Sequence, residues 1–325
     1  MVTAPLVRHL TEVAKAAAHP SQSSCPACGQ GAVTLADRPD GTVVRHGDAV
    51  AKAHATGTDP GAHALRIAVA AHPALAGVLL PPLPLPLPPP AAADAGARPC
   101  SAWPYGSPVD PRAPDAAPWE ETAVLLARLH RVDAGVLPGP LPPMRGPLKA
   151  AAAVARMEDA VPGHPAAAGV RRAWRGLPGW ARGEGDARRH RILCHGDFHL
   201  GQLVRHPVPD GPWLLIDVDD LGIGDPAWDL ARPAAWFAAG ILPPPVWRRF
   251  LGAYTAAGGP AVPDADDPWP QLDVPARALT VQTAALALAK SAAEGRQPDD
   301  VEQAVIDACT RIGTLSPELE CDTPS

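Results

Sequence analysis

The sequence predicts an α+β protein with a small antiparallel sheet near its start, a mainly helical remainder, and one strand-rich stretch set among the helices. Three observations carry that expectation. Residues 32–54 hold three β-branched runs separated by turn residues, and from residue 118 apolar residues recur at helical spacing. Residues 190–230 then break into short apolar runs flanked by Asp, His and Gly.

The first twenty residues, with His9, Glu12, Lys15 and His19 interrupting an apolar run, predict an amphipathic helix rather than a signal peptide. Arg38-Pro39-Asp40-Gly41 and His46-Gly47-Asp48 carry turn chemistry, so 32–54 predicts a meander whose third strand, Ala49 to Ala53, has Lys52 near its end. Asp59 followed by Pro60 predicts an N-cap and a helix to Ala71. The run PPLPLPLPPP over 81–90 excludes helix and central strand and suits an extended edge segment. A short run from Cys100 to Tyr105 ends at Gly106, and Pro108, Pro111 and Pro114 mark a linker.

From Pro118, Val124, Leu125 and Leu129 fall at helix spacing, with Glu120 and Glu121 in the first turn, where the helix dipole favours them. Further helices are expected over 148–160, 165–175, 244–256, 276–294 and 299–312. Between them, Ile192–Cys194, Leu203–Val204 and Trp213–Ile216 predict short strands, which leaves Asp197, Gln202 and Asp217 on flanking loops.

Composition narrows the function. Of 28 basic residues only four are lysine, so a lysine at a strand end is more informative than usual. Before Asp197 the chain has 20 basic and 15 acidic residues, and from Asp197 onwards 8 and 19, giving +5 and −11. That split argues against a nucleic-acid surface. No apolar run spans a bilayer, and a cytoplasmic protein without a membrane partner, monomer or homodimer, is expected. The six cysteines are scattered; Cys25-Pro-Ala-Cys28 has knuckle spacing, but no second CxxC follows and His19 precedes it. A turn with two free thiols is the favoured reading over a four-ligand zinc site. No GxSxG, HExxH or GxGxxG motif supports a hydrolase, zinc protease or dehydrogenase.

Phosphoryl transfer needs a carboxylate near the acceptor hydroxyl, oxygen ligands for Mg²⁺ and a cation on the phosphates. Asp197, then Gln202 with Asp217, and Lys52 offer these in workable order. Asp219 is a further carboxylate, favoured over Asp220 because strand alternation puts it on the face of Asp217.

His195-Gly196-Asp197-Phe198-His199-Leu200-Gly201-Gln202 resembles the HGDxHxxN catalytic loop of the aminoglycoside phosphotransferase family. Ile216-Asp217 followed by Gly224-Asp225-Pro226-Ala227-Trp228-Asp229-Leu230 resembles its metal-binding segment, and the likeness extends over most of residues 33–255. The resemblance implies a protein-kinase-like two-lobe fold, with a small antiparallel-sheet N-lobe (1–105) for the nucleotide and a mainly helical C-lobe (106–325) for catalysis and the acceptor. It implies Asp197 as catalytic base, His195 as a brace, and Asp229 as a buried acceptor tying the loop to the next helix. Asp217 and Gln202 are the implied Mg²⁺ ligands, to which strand alternation adds Asp219 as a further metal-binding carboxylate.

For the co-substrate, ATP or GTP, the implied contacts are Lys52 and Arg38 on phosphate and a hinge over 100–106, with Trp103 and Tyr105, facing the base. Three residues depart from the family. Gln202 stands where Asn is usual, no Glu lies between Lys52 and Glu120, and the nucleotide-covering turn has a single glycine. His199 is read as bracing the loop. The acids Asp264, Asp266, Asp267 and Asp273 on an expected loop over 260–275 make a cationic antibiotic the leading acceptor. A neutral sugar or metabolite alcohol, and a nucleotide-binding pseudokinase, are the alternatives.

Overall fold

Alternation of buried and half-buried residues along Gly41–His46 and Ala49–His54 explains how the sheet is held. The computed structural model describes residues 4–20, 24–29, 31–38, 40–85, 98–113, 116–184, 191–264 and 266–314. Pro39, 86–90, Pro114 and Cys321 lie outside them. Strands β1 (Val33–Arg38), β2 (Gly41–His46), β3 (Ala49–His54) and β4 (Cys100–Pro104) form one antiparallel sheet in that order. Helix α1 (Ala4–Ala18) buries Leu6, Leu10, Val13 and Ala14 against Val44, Ala51, Ala53 and Ala102. Burying a leucine such as Leu10 fully is worth about 1.5–3 kcal/mol. Because strand side chains alternate, Ala51 and Ala53 take the α1 face and Lys52 is left on the other.

Helix α2 (Pro60–Ala70) starts as expected, with Asp59 Oδ1 accepting from Ala62 N at 2.7 Å. Leu83 N donates to Ala102 O, so the proline-rich segment runs along the outer edge of β4 where it is described. Strands β5 (Ser107–Pro108), β7 (Leu203–Arg205) and β8 (Trp213–Leu215) make a second small sheet, and Leu80 N donates to Leu215 O. Strand β6 (Ile192–Cys194) pairs with β9 (Gly222–Gly224), a glycine-bounded strand without a sequence signature.

The other helices are α3 (Trp119–His130), α4 (Gly146–Ala160), α5 (Pro165–Arg175), α6 (Ala227–Ala238), α7 (Pro244–Ala256), α8 (Trp269–Glu294) and α9 (Asp300–Ile312). In α3, Leu125 and Leu129 are buried, whereas Val124 turns outward at 37% exposure. Helix α8 begins seven residues before its expected start, because buried Pro275 is carried inside the helix rather than ending it. Asp273 is therefore helical, not part of a loop. Phe237 of α6, Trp247 of α7 and Trp269 of α8 stack at 5.4–6.4 Å, which fixes where these helices meet.

The chain divides into two compact units that interleave along the sequence, whereas the sequence expectation draws one boundary after Tyr105. The first is Met1–Pro118, Val132–Pro142 and Leu200–Asp219; the second is Trp119–Arg131, Pro143–His199 and Asp220–Ser325. Among the described residues no helix is long and apolar enough to cross a membrane.

Candidate active site

Within the first unit, Lys52 leaves β3 on the face opposite α1 and meets two carboxylates. Its Nζ lies 2.6 Å from Asp217 Oδ1 and 2.9 Å from Asp219 Oδ2. Burial works against a charged amine, but a unit charge pair at 4 Å is worth about 4 kcal/mol at an effective dielectric near 20. Two such partners at shorter range outweigh desolvation and raise the Lys52 pKa. No helix glutamate is needed to hold this lysine, which answers the missing Glu: α2 has no acid at all.

Asp219 and Asp217 reach Lys52 for a different reason than strand alternation, since Val218–Asp220 is a 3-10 turn. Asp217 itself has φ 66°. For a residue other than glycine this left-handed conformation costs on the order of 1–3 kcal/mol and persists only where neighbours enforce it. Here Ile216 N donates to Gln202 O at 3.0 Å, Gln202 Nε2 donates to Asp217 Oδ2 at 3.3 Å, and Lys52 holds Oδ1.

The cluster continues into the sheet. His54 Nδ1 is 2.7 Å from Asp219 Oδ1, His54 Nε2 is 2.7 Å from Ser101 Oγ, and Trp103 Nε1 donates to the same Oγ at 2.8 Å. Burial raises the Asp219 carboxyl, but His54 and Lys52 together hold it well below the ordinary range. His63 of α2 lies 4.1 Å from His54 between ring centroids; burial first, then its neighbour, pushes its pKa down to about 4. Oxygen donors on Asp217, Asp219 and Gln202, with one more carboxylate than cation, fit a hard divalent ion.

The second unit holds Asp197. The Lys149 Nζ lies 2.5 Å from Asp197 Oδ2 and 2.7 Å from Asp220 Oδ2, while Arg232 Nη2 reaches Asp197 Oδ1 at 3.2 Å. Desolvation raises the Asp197 carboxyl, but Lys149 and Arg232 prevail and keep it below the usual carboxylate value. For Asp220 the balance reverses: burial, aided by Asp197, outweighs Lys149 and leaves its pKa raised. His199, beside this cluster, is pushed down to about 4 by burial and then by Arg232.

Asp229, in the first turn of α6 and 0% exposed, accepts from His195 N at 2.6 Å and Gly196 N at 2.8 Å. His130 Nε2 lies 3.0 Å from its Oδ2. Tyr254 Oη accepts from Ala261 N at 3.0 Å and lies 2.8 Å from His130 Nδ1, so its hydroxyl hydrogen is free to go to His130. His130 can then donate from Nε2 to Asp229, which only accepts. The backbone ahead of Asp197 is thus fixed by a buried carboxylate. Gly196 has φ 84°, and a Cβ there would lie 2.2 Å from Asp220 O, so the loop passes the Asp220 backbone only with glycine. The buried His195 ring packs edge-on to Phe198 at 6.5 Å.

Lys52, Asp217, Asp219 and Gln202 are therefore gathered in one unit, and Asp197, His195 and Asp229 in the other. Trp103 joins the first cluster only through Ser101. Tyr105 has Arg45 3.3 Å over its ring and His206 Nδ1 3.0 Å from its carbonyl, and Arg38 stands exposed at the end of β1, outside the cluster. Sequence reasoning passed over Lys149, Arg232, His54, His130 and Tyr254. The scarcity of lysine could have found Lys149, and Arg232 lies three residues after Asp229 on one helix face. Nothing local marks the other three.

The profile of the Phosphotransferase enzyme family matches residues 40–270, well over half of the chain. Among solved structures, similarity is found to a thermostable mutant of the aminoglycoside phosphotransferase APH(4)-Ia in ternary complex with AMP-PNP and hygromycin B. The TM-score is 0.57 at 15% identity, over 92% of this chain and 98% of that one. A choline/ethanolamine kinase family protein from Mesorhizobium loti gives a TM-score of 0.53 at 17% identity over 92% of both chains. Spectinomycin phosphotransferase APH(9)-Ia, with ADP and spectinomycin, gives 0.53 at 12% identity over 87% of this chain and 92% of that one. At these identities the likeness establishes the fold, which is the α+β, kinase-like one expected from the sequence. No curated protein matches the chain by sequence.

Proposed function

The chain belongs to the Phosphotransferase enzyme family, and from that premise we propose that it moves the γ-phosphoryl group of ATP, or GTP, to a hydroxyl of a small molecule. The observation that carries this reading is Lys52 held between Asp217 and Asp219: a cation for phosphate oxygens beside carboxylates suited to a hard divalent ion. Mg²⁺, when bound, neutralises charge on the transferring phosphates. Asp217, Asp219 and Gln202 would hold it through oxygen, and Lys52 would supply the cation for the nucleotide phosphates.

Asp197 orients the acceptor hydroxyl and takes its proton. Being ionised at low pH through Lys149 and Arg232, it is available as a base throughout the neutral range. Asp229 does no chemistry: it is a positioning residue that fixes the backbone of His195 and Gly196 and so aims Asp197. His195 fills the space behind that loop.

For the acceptor, the acidic second half favours a cationic antibiotic, with resistance as the consequence. The individual acids give that reading little support: Asp264 and Asp267 accept from Asp266 N and Trp269 N, and Asp273 pairs with Arg277 at 3.0 Å. A second reading, a sugar or metabolite alcohol neutral around its reacting hydroxyl, is favoured by Lys149 and Arg232 on Asp197 and by Arg145, 3.5 Å from Asp220.

Incubation with Mg²⁺ and ATP or GTP, followed by mass spectrometry of aminoglycosides, peptide antibiotics, macrolides, amino alcohols and sugars, tests both. Phosphate added to one compound, and lost with Asp197→Ala, is the expected result. Turnover falling as salt rises identifies a cationic acceptor, and salt-insensitive turnover a neutral one. Absence of both turnover and Mg²⁺-dependent nucleotide binding that Asp217→Asn removes would sink the proposal.

A further inference from the structure

Far along the chain from the carboxylate clusters, the two free thiols of the Cys25-Pro-Ala-Cys28 turn meet two histidines. His19 follows the last turn of α1, Cys25 and Cys28 flank the start of a 3-10 turn (Pro26–Gly29), and His46 ends β2. Cys28 Sγ lies 3.3 Å from His19 Nε2 and 3.5 Å from His46 Nε2, and Cys25 Sγ lies 3.9 Å from His46 Nε2. One donor atom from each of the four residues falls within 4.8 Å of every other. All four belong to the first unit.

We propose that His19, Cys25, Cys28 and His46 form a structural zinc site that fastens the end of α1 and the Cys25–Cys28 turn to the β2–β3 corner. The spacing suits the metal. With Zn–S about 2.3 Å and Zn–N about 2.0–2.1 Å, donors on a tetrahedron stand roughly 3.3–3.8 Å apart. The observed contacts span that range, so a modest contraction of the remaining pairs closes the site. Two thiolates and two imidazoles are also the soft and borderline donors that select zinc over Mg²⁺, unlike the all-oxygen set around Asp217.

A second feature shows the approach to be built into the backbone. Gly47, just after His46, has φ 56°, and a Cβ there would lie 3.1 Å from Cys25 Sγ. Glycine at the corner therefore does two things: it permits the turn and it leaves room for the sulfur. Cys28 N donates to Cys25 O at 3.0 Å, which folds both sulfurs to one side. Four protein donors leave no open position, so the site holds structure and does no catalysis. Binding converts two thiols to thiolates with release of two protons, and the centre, Zn²⁺ with two thiolates and two neutral imidazoles, carries no net charge. The sequence favoured free thiols because the second histidine lies eighteen residues beyond Cys28, and only the meander brings it back.

Metal analysis of the full-length protein after exhaustive dialysis tests the proposal independently of any kinase activity. Stoichiometric zinc is expected, retained in Cys309→Ala and lost in Cys28→Ser and His46→Gln. If those variants do not fold, the wild-type protein decides. Alkylation with mass mapping should find Cys25 and Cys28 protected until a strong chelator is added. The chelated protein should then melt lower and recover with Zn²⁺ but not Mg²⁺, and cobalt in place of zinc should give thiolate charge-transfer and tetrahedral ligand-field bands. A chain free of zinc that takes none up, or one in which Cys25 and Cys28 are joined by a disulfide or are alkylated equally with and without chelator, overturns the site.

Discussion

Two lysines, Lys52 in the first unit and Lys149 in the second, are each held between two aspartates, yet the two arrangements differ in their balance of charge. Among the described residues, Lys52 is the one lysine or arginine on Asp217 and Asp219, with His54 also on Asp219, so permanent negative charge is in excess. Around Asp197 and Asp220, Lys149 is joined by Arg232 and Arg145, so cations are in excess. Under the proposed function, the same Asp–Lys–Asp pattern would suit one place to a divalent cation and the other to an ionised base. The lesson is that the third and fourth charged neighbours, not the central pair, set what each cluster can do.

Removing Asp197 should break the comparison most severely. Asp197→Ala is expected to lower kcat by about 10²–10⁴-fold while nucleotide affinity is kept; paired steady-state kinetics and calorimetry read both, and a small change in rate would remove it as the base. Asp229→Ala comes next. It strips acceptors from two backbone amides and from His130 in a fully buried place, which should cost about 3–5 kcal/mol in denaturant unfolding. Asp229→Asn, which keeps one acceptor, should lose less, and a loss below about 1 kcal/mol for Ala would mean that the loop is held otherwise.

Lys149→Met sharpens the contrast without removing the base. In the folded chain Asp197 is held below its ordinary value of 3.8 against the effect of burial. Its contribution to stability is thus complete above that value and disappears only as pH falls through its lower folded value. Without Lys149, the largest opposition to burial is removed and the Asp197 pKa rises, so the acid limb of a kcat/KM–pH profile should move to higher pH. An acid limb that stays in place would show that Lys149 does not govern it. Smallest of all should be Gln202→Asn: its one contact with Asp217 is a 3.3 Å amide bond, and activity should stay within about tenfold.

The sheet, the capped α2 and the loop carrying Asp197 were legible because each is written in local chemistry: turn residues, Asp59 before Pro60, and a contiguous motif. The partners of those residues were not. Lys149 lies 48 residues before Asp197, and Tyr254 lies 124 after His130, with no periodicity linking either pair. Strand alternation favours Asp219 over Asp220, but the segment is a 3-10 turn in which Asp219 serves Lys52 and Asp220 serves Lys149. Helix α8 shows the opposite failure. Pro270 sits in the first turn, where proline is tolerated; Pro275 is a strong breaker locally, yet burial of Pro275, Ala276 and Leu279 in the helical core carries the helix through it.

The proline-rich segment beside β4 bears on how the chain behaves at high concentration. An open sheet edge is a template on which another chain can add a strand. Leu83 occupies that edge at Ala102, and its neighbours Pro82 and Pro84 have no N–H to offer an incoming backbone. Growth of the four-stranded sheet by self-association is hindered on the β4 side at Ala102, and among the described residues the other edge of that sheet is β1.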